Sequence, residues 1–401
     1  MPLGSVVQSA RDRLLTDLSD ELASREAAGL KRHLTTLDAV DGPLVRLDGR
    51  ELICWCSNDY LGLSTHPRLA AAATHAASRW GIGARASRLL AGTTPWHEQL
   101  EYALAEWFGA EDAVVYPSGY LANLGTLSAL LSARDAVFVD RLAHASLIDA
   151  ARHSRAALRV FHHKDPAHLA QLLSRAGAAR RRLIVTEGLF SMDGDQAPLG
   201  HLAQIAEVHD AIIYVDDAHG AFVLGGHGRG TPEALGVSQE RFLYMGTLGK
   251  ALGCQGGFVI GPKTLADFLR NRSRTFVYST ALAVPTAAAA AEALRVLQDE
   301  PDRRQRLQVL VARLHRQLEP LLPISSASHP SHIVPVIVGD SPRALECSRR
   351  LFDRGHWAPA IRPPTVPKGT ARLRLSVTAL HTEAHIDSLA RTVQDALAAT
   401  P

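Results

Sequence analysis

The chain has 401 residues, a length that suits two domains or one large domain with a smaller one. Its 43 basic and 40 acidic residues leave a net charge of only +3, which argues against nucleic acid or an anionic membrane as a partner. The N-terminus is charged and amphipathic, and no run of 18 apolar residues occurs, so we expect no signal peptide, no membrane span and a cytoplasmic location.

The first 59 residues predict an N-terminal arm made of one helix and one β-hairpin. The helix falls within residues 5–40, and "GPLVRLDGRELICWC" reads as the hairpin, with Asp48 and Gly49 at its turn. Cys54 and Cys56 would point to the same side of the second strand. Packing explains them better than a metal does, because no further Cys or His pair is nearby. The four cysteines match no disulfide framework, which indicates a reducing compartment.

Residues 60–289 predict a large α/β domain, because short apolar runs alternate there with helical segments. Runs such as "DAVFVD", "RRLIVTEG" and "AIIYVDDAHG" are typical of buried parallel strands, which gives a mainly parallel sheet between helices. Residues 290–401 predict a smaller α+β domain. It would contain a long helix interrupted near Pro301, strands in "HIVPVIVGD", "WAPAIRPP" and "ARLRLSVT", and a final helix.

Lys250 lies in "GTLGKALG", where glycines flank a lysine. A Walker loop would need glycine at position 244 and Ser or Thr at position 251, but Tyr244 and Ala251 stand there. Two other patterns also fail. "GIGARA" at 81–86 follows a helix rather than a strand, unlike a dinucleotide-binding loop, and "HTEAH" at 381–385 lacks the Glu directly after the first His of a zinc protease. We therefore expect no metal site.

A Schiff-base lysine is the remaining interpretation, and pyridoxal 5′-phosphate (PLP) is the cofactor that needs one. The cofactor also needs an acid for its ring nitrogen, donors to its phenolic oxygen and backbone N–H groups for its phosphate. Suitable residues follow predicted strands and would meet at the sheet edge where the carboxyl ends of the strands lie. They are Ser118, Gly119, Tyr120, His144, Ser191, Asp216, His219 and Thr247.

From about residue 20 to 395 the chain resembles the α-oxoamine synthases, fold-type I PLP enzymes that join an amino acid to an acyl thioester with loss of CO2. The matching stretches include "SNDYLGL", "DRLAHASL", "VTEGLFSMDGD", "VDDAHG" and "GTLGKALG". "IRPPTVPKGTARLRLS" is the most discriminating, and it favours the subgroup that condenses L-alanine with a pimeloyl thioester in biotin synthesis. The resemblance also implies a homodimer with shared active sites.

The resemblance implies a role for each matching residue. Lys250 would carry the cofactor as an imine and later move protons at the substrate Cα, and Asp216 would pair with the pyridinium nitrogen. His219 and Ser191 would contact the phenolic oxygen, and His144 would stack on the ring. Gly119, Tyr120 and Thr247 would hold the phosphate. Thr280 of a neighbouring subunit would help them. Arg374 would clamp the amino-acid carboxylate, assisted by Asn58, and Arg32 and Thr365 would line the acyl side.

One stretch departs from the family pattern, and two rival functions stay open. Where the family has a glycine-rich "GSGGS", this chain has "GIGARAS". Arg85 could contact phosphates of the thiol carrier, coenzyme A or acyl carrier protein, or be an exposed or interface residue. The rivals are a sister synthase that uses glycine or serine with another thioester, and a non-catalytic subunit that keeps the fold as a binding module.

Overall fold

The computed structural model describes residues 9–323 and 329–399. The chain begins with helix α1, Ala10–Ala27, which opens on a capping box: Ser9 Oγ accepts from the Asp12 amide, and the Asp12 carboxylate accepts from the Ser9 amide. No residue of α1 is buried. The helix therefore stands away from the rest of the chain.

The predicted hairpin is confirmed. It consists of β2, Leu44–Leu47, and β3, Arg50–Cys54, preceded by the short strand β1, Ala39–Asp41. Asp48 and Gly49 form its two-residue turn with φ of 49° and 74°. Two successive positive φ values match the twist of paired strands, which is why Asp-Gly is favoured at this turn.

A seven-stranded sheet forms the centre of the molecule, in the order β4-β10-β9-β8-β7-β5-β6. Its strands are β4 (Asp112–Tyr116), β5 (Ala136–Asp140), β6 (Ala157–Phe161), β7 (Arg182–Glu187), β8 (Ile212–Asp216), β9 (Phe242–Thr247) and β10 (Gly257–Gly261). Strands β9, β8, β7, β5 and β6 are parallel to one another, and β10 is antiparallel to both β9 and β4. The connection from β9 to β10, residues 248–256, is too short for a parallel crossover.

Helices cover both faces of this sheet, which confirms the predicted α/β architecture. They are α2 (Pro67–Trp80), α3 (Pro95–Phe108), α4 (Gly119–Leu130), α5 (Ala145–His153), α6 (Pro166–Ser174), α7 (Leu199–Val208), α8 (Thr231–Ala234), α9 (Lys263–Arg272), α10 (Arg274–Val277) and α11 (Val284–Asp299). Every residue of β5 is buried. Its Val137 and Val139 enter one apolar cluster and its Ala136 and Phe138 another, as strands buried on both faces require.

The C-terminal part packs three helices against a small sheet. The helices are α12 (Asp302–Leu318), α13 (Ser341–Asp353) and α14 (Glu383–Ala398), and the strands are β11 (Ile333–Gly339), β12 (His356–Trp357), β13 (Ala360–Ile361) and β14 (Ala371–Ser376). Strands β11, β14 and β13 form an antiparallel sheet. The helix break predicted near Pro301 is confirmed, since α11 ends at Asp299 and α12 begins at Asp302.

The strand predicted in "WAPAIRPP" is wrong in one respect, because the segment divides between two sheets. Strand β12 pairs in parallel with β3, whereas β13 pairs with β14. Pro359 lies between them and has no N–H to donate to a continuous ladder. The segment thus joins the N-terminal hairpin to the C-terminal sheet.

One apolar cluster runs through the central and C-terminal parts and includes Leu100, Phe258, Leu375 and Val393. The division at residues 59 and 289 therefore stays a prediction. None of the helices in residues 9–323 and 329–399 combines the length and apolar character needed to cross a membrane.

Candidate active site

A cleft of about 190 Å³ opens at the sheet edge where β7, β8 and β9 end. Polar side chains, together with backbone from α4, surround it. The residues that line it are Gly119, Tyr120, Asn123, His144, Ser146, Glu187, Asp216, Ala218, His219, Met245, Thr247 and Lys250. Seven of the residues predicted from sequence thus meet here, as expected for parallel strands with a common edge.

Lys250 stands at one end of a chain of hydrogen bonds. Its Nζ lies 2.7 Å from His219 Nε2, and His219 Nδ1 lies 2.7 Å from Tyr60 Oη. The Tyr60 hydroxyl donates to Asn58 Oδ1 at 3.0 Å. Since that hydroxyl has one proton, it accepts from His219 Nδ1, and His219 Nε2 is left to accept from the lysine. The His219 tautomer with its proton on Nδ1 therefore satisfies all of these hydrogen bonds.

Burial lowers the pKa of Lys250 to about 8, against the opposing attraction of Asp216 and Glu187. At pH 7 about one lysine in ten is then neutral, compared with roughly one in a few thousand for an ordinary lysine. Burial also holds the pKa of His219 well below its usual range. The site therefore supplies a reactive amine next to a neutral imidazole.

Asp216 ends β8 and is held by two donors. Its Oδ1 accepts from the Ala218 amide at 3.0 Å, and its Oδ2 accepts from Asn123 Nδ2 at 2.7 Å. Asn123 lies on α4, and its Oδ1 accepts from the Tyr214 hydroxyl at 2.8 Å. An ionised carboxylate has about four lone-pair positions, so Asp216 can still accept a further hydrogen bond from the cleft.

His144 is the N-cap residue of α5. Its Nδ1 accepts from the Ser146 amide at 3.2 Å and from the Ser146 hydroxyl at 2.8 Å, so its ring is fixed against the helix. Asn123 Nδ2 donates to that same Ser146 hydroxyl at 2.9 Å. Burial lowers the pKa of His144, which favours the neutral ring.

The N-terminus of α4 forms another wall of the cleft. Ser118 caps the helix by accepting from the Leu121 amide, and Gly119 follows at its first position. A Cβ added at Gly119 would come within 2.9 Å of Met245 Cε and 3.6 Å of Thr247 Oγ1, so the glycine leaves more room at this wall. The Thr247 hydroxyl donates to the Gly256 carbonyl at 2.8 Å. Helix N-termini of this kind favour anions such as phosphate.

Arg374 belongs to β14 and is buried beside the hydrogen-bond chain of Lys250. Its Nη2 donates to Tyr60 Oη at 3.2 Å and to Asn58 Oδ1 at 3.4 Å. Its Nε donates to the Ser191 carbonyl at 2.5 Å. The structure thus brings Arg374, Asn58 and Ser191 together, although none of the three lines the cleft itself.

The other predicted residues lie on the surface. Arg32 and Thr365 are both exposed, and Arg32 Nη2 donates to Thr365 Oγ1 at 2.9 Å, so these two also meet. Thr280 is exposed and does not line the cleft. Arg85 is exposed, has a φ of 68° and donates to the Trp80 carbonyl at 3.1 Å, so neither interpretation of it is tested.

The sequence is similar to that of proteins of a known family. Residues 50–393 match the family model of aminotransferase class I and II. The 8-amino-7-oxononanoate synthase of Anaeromyxobacter dehalogenans is 48% identical over 367 residues, 92% of each chain. The chain belongs to this aminotransferase family. Its fold-type I, PLP-dependent character and its resemblance to the α-oxoamine synthases are confirmed.

Two solved structures of this family have the same fold. A serine palmitoyltransferase from S. paucimobilis with bound PLP superposes with a TM-score of 0.91 at 30% identity, covering 97% of this chain and 98% of that one. An 8-amino-7-oxononanoate synthase from Francisella tularensis superposes with a TM-score of 0.74 at 29% identity, covering 86% and 97%. The fold is therefore common to relatives that differ in substrate.

The cleft fits the family's cofactor. It combines a buried lysine of lowered pKa, a carboxylate with free acceptor positions and a helix N-terminus opened by Gly119. Glu187 adds an unsatisfied group, because its buried Oε1 has no hydrogen-bond partner. A buried polar atom without a partner is costly, and a ligand in the cleft offers one.

Sequence reasoning missed several residues of this site, among them Asn123, Glu187 and Tyr60. Glu187 ends β7 beside Asp216, and burial followed by repulsion from Asp216 raises its pKa to about 8. Its other oxygen accepts from the Ser191 amide at 3.1 Å. The strand-end position of Glu187 was an available signal, because it is shared with Asp216. Asn123 and Tyr60 gave none beyond their neighbours.

Proposed function

We propose that the protein is an 8-amino-7-oxononanoate synthase that condenses L-alanine with a pimeloyl thioester, releasing CO2 and the free thiol carrier. One observation carries the assignment: identity to an enzyme of that name reaches 48% over 92% of the chain, against 30% for the serine palmitoyltransferase. The two solved structures do not separate the subgroups, because the serine enzyme at 30% and the Francisella synthase at 29% are about equally identical to this chain. The curated relatives at 45% to 48% identity are what supports the assignment.

The positions of the side chains support the cofactor roles that the resemblance implies. PLP, when bound, supplies a protonated ring that accepts the electron pair released at the substrate's α-carbon. Asp216 would hold the proton on the ring nitrogen, and Asn123 would orient that carboxylate. His219 and Ser191 would contact the phenolic oxygen, and His144 would lie against the ring.

The phosphate would be held at the N-terminus of α4. Gly119 and Tyr120 would direct backbone N–H groups at it from the first turn of α4. The Thr247 hydroxyl, which here donates to the Gly256 carbonyl, would turn to donate to a phosphate oxygen. Thr280 of a second subunit would complete this site.

Lys250 would attach the cofactor and then move the proton at the alanine Cα, for which its lowered pKa suits it. Arg374 would bind the alanine carboxylate with its planar fork, which is already oriented by Tyr60 and the Ser191 carbonyl. Asn58 would assist Arg374. Arg32 and Thr365 would line the acyl side, where coenzyme A or acyl carrier protein carries the pimeloyl group.

A second copy of the chain is the partner we propose. Leu14, Leu18 and Leu22 follow at four-residue spacing along α1 and remain 57%, 47% and 50% exposed. An apolar stripe of this kind on a helix without buried residues is suited to packing against another subunit. The four cysteines are free, which supports a reducing compartment such as the cytoplasm.

The test is a substrate matrix. Purified, PLP-loaded protein is incubated with alanine, glycine or serine, each with pimeloyl, acetyl or palmitoyl thioester, and products are identified by mass. We expect one major product, 8-amino-7-oxononanoate, from alanine and pimeloyl thioester. A faster reaction of glycine or serine would instead favour a sister synthase, and no product with any pair would favour a binding module. Parallel assays with both carriers decide between coenzyme A and acyl carrier protein.

A further inference from the structure

Two thiols lie close together where strand β3 ends, a few residues before Asn58. Cys54 Sγ and Cys56 Sγ are 3.8 Å apart, on alternate residues at the end of β3. Cys54 is buried and Cys56 is half-buried. The proposed mechanism uses neither. Packing alone would leave them as inert apolar residues, yet their sulfur atoms face each other.

Backbone hydrogen bonds hold the chain at Cys54 more firmly than at Cys56. The Cys54 amide donates to the Pro43 carbonyl at 2.8 Å, and the Trp55 amide donates to the Trp357 carbonyl at 2.9 Å. Cys56 comes after the last residue of β3, in a bend. Sulfur atoms in a disulfide are about 2.05 Å apart, so closing this pair needs an approach of about 1.8 Å. Movement of Cys56 meets less resistance than movement of Cys54.

Cys56 is linked to the proposed carboxylate clamp by a short stretch of chain. Asn58 follows two residues later, and its Oδ1 accepts from both Tyr60 and Arg374, at 3.0 and 3.4 Å. The Arg374 charge also acts on the Cys56 thiol. A displacement of Cys56 therefore moves the segment that orients Asn58 against Arg374.

The pair also has the chemistry of an oxidisable dithiol. A hydrogen bond from Cys56 lowers the pKa of Cys54 to about 7, while the pKa of Cys56 is raised. Cys54 is therefore the thiol of the pair that becomes thiolate more readily, and the thiolate is the form that reacts with peroxides.

We propose that Cys54 and Cys56 form a peroxide-sensitive dithiol whose oxidation to a disulfide weakens alanine binding. The Cys54 thiolate attacks one oxygen of hydrogen peroxide, the O–O bond breaks and hydroxide leaves, forming a sulfenic acid. The Cys56 sulfur then attacks the Cys54 sulfur, the S–O bond breaks and water leaves with the remaining proton. Two thiols lose two electrons, and one peroxide becomes two waters.

The experiment uses PLP-loaded enzyme treated with hydrogen peroxide and then with dithiothreitol. Trypsin releases both cysteines on one peptide, residues 51–68, which does not contain Cys254 or Cys347. Loss of two hydrogen masses from that peptide, reversed by dithiothreitol, reports the disulfide and does not depend on the proposed function. Alanine affinity, followed through the change it causes in cofactor absorbance, reports the coupling and does rest on that function.

We expect the peptide to lose two hydrogen masses and the alanine dissociation constant to rise about tenfold or more, as for the loss of a hydrogen bond to a charged group. Cys56→Ser and Cys54→Ser should abolish both changes, and Cys254→Ser, which removes another partly buried thiol, should retain them. A peptide that keeps its mass, or that gains oxygen instead, overturns the proposal. So does a reversible disulfide that leaves alanine affinity unchanged in an enzyme that turns over alanine.

Discussion

The two halves of the candidate site are built in different ways. The cofactor half comprises Gly119, Asn123, Asp216 and Thr247, which all come from the central sheet and helix α4. The substrate half comprises Asn58, Tyr60 and Arg374, whose mutual contacts join residues 314 and 316 positions apart. The first half is formed by one fold unit, whereas the second exists only when the N-terminal hairpin segment and the C-terminal sheet dock together.

This difference matters for function because one hydrogen-bond chain links the halves. Lys250 reaches His219, which reaches Tyr60, and Tyr60 meets Arg374. The C-terminal sheet is fixed to the hairpin by the Ser376 amide, which donates to the Trp55 carbonyl at 2.7 Å. Changes in one half should therefore be separable from changes in the other, except along this chain at Lys250, His219 and Tyr60.

Lys250→Ala should have the largest effect, because it removes the group that belongs to both halves. We expect condensation activity to fall at least about a thousandfold, the scale of losing a nucleophile and proton carrier. The absorbance band of lysine-bound PLP should also disappear. Lys263→Ala, at the exposed start of α9, is the control and should retain both. A variant that kept the band would mean that another amine carries the cofactor.

The second-largest effect concerns His163 and its two aspartate partners, Asp140 and Asp195. Asp195 lies in the loop that carries Ser191. His163 lies between Asp140 Oδ1, at 2.9 Å, and Asp195 Oδ2, at 3.2 Å. Burial opposes the charge, but these hydrogen bonds outweigh it and raise the pKa of His163 to about 9. Because this folded-state pKa exceeds the unfolded value, the stabilisation is fully present below pH 6.5 and is lost as the pH rises through 9.

The loss is on the order of 3 kcal/mol of unfolding free energy, because the pKa of His163 at about 9 lies about 2.5 pH units above its ordinary value. Urea midpoints measured between pH 6 and 10 should fall for the native chain and much less for His163→Asn. His153→Asn, an exposed residue at the end of α5, should follow the native profile. Identical profiles for all three proteins would show that His163 and its aspartate partners carry no net charge-dependent stability.

Arg374→Lys tests the substrate half alone. Lysine keeps the charge but lacks the planar fork that contacts Tyr60, Asn58 and the Ser191 carbonyl together. We expect the KM for alanine to rise roughly 10- to 100-fold with a smaller change in kcat, and PLP affinity to stay the same. Arg350→Lys on α13 provides the control. If kcat fell while KM was unchanged, Arg374 would act on a step after alanine binds.

Local signals in the sequence were sufficient for much of the fold. The Asp48-Gly49 turn, the glycines that end α2 and α3 and the mainly apolar strands each predict their own element without reference to distant residues. The cofactor half follows from the same information, because parallel strands that end in polar residues share one edge. That half could therefore be assembled from motifs alone.

The substrate half and the split of β12 from β13 could not be obtained in this way. Their partners lie hundreds of residues away, so only tertiary docking decides them. The resemblance to a family supplied Asn58 and Arg374, but it did not reveal Tyr60, which joins them to His219. Asn123 was missed for another reason. Inside the apolar helix α4 a single asparagine has no periodic or motif signal, although it holds the Asp216 carboxylate.

Asn123→Leu should therefore give a smaller effect confined to the cofactor half. The change keeps the approximate volume but removes the donor to Asp216 and the acceptor of the Tyr214 hydroxyl. A less well oriented carboxylate should raise the dissociation constant of PLP about tenfold, the scale of one hydrogen bond to a charged group. With PLP at saturation, the KM for alanine should match that of the native enzyme, because Arg374 is untouched. Asn271→Leu, on the exposed side of α9, controls for the substitution itself. A rise in the alanine KM for Asn123→Leu would show that the two halves are coupled through Asp216 as well as through Lys250.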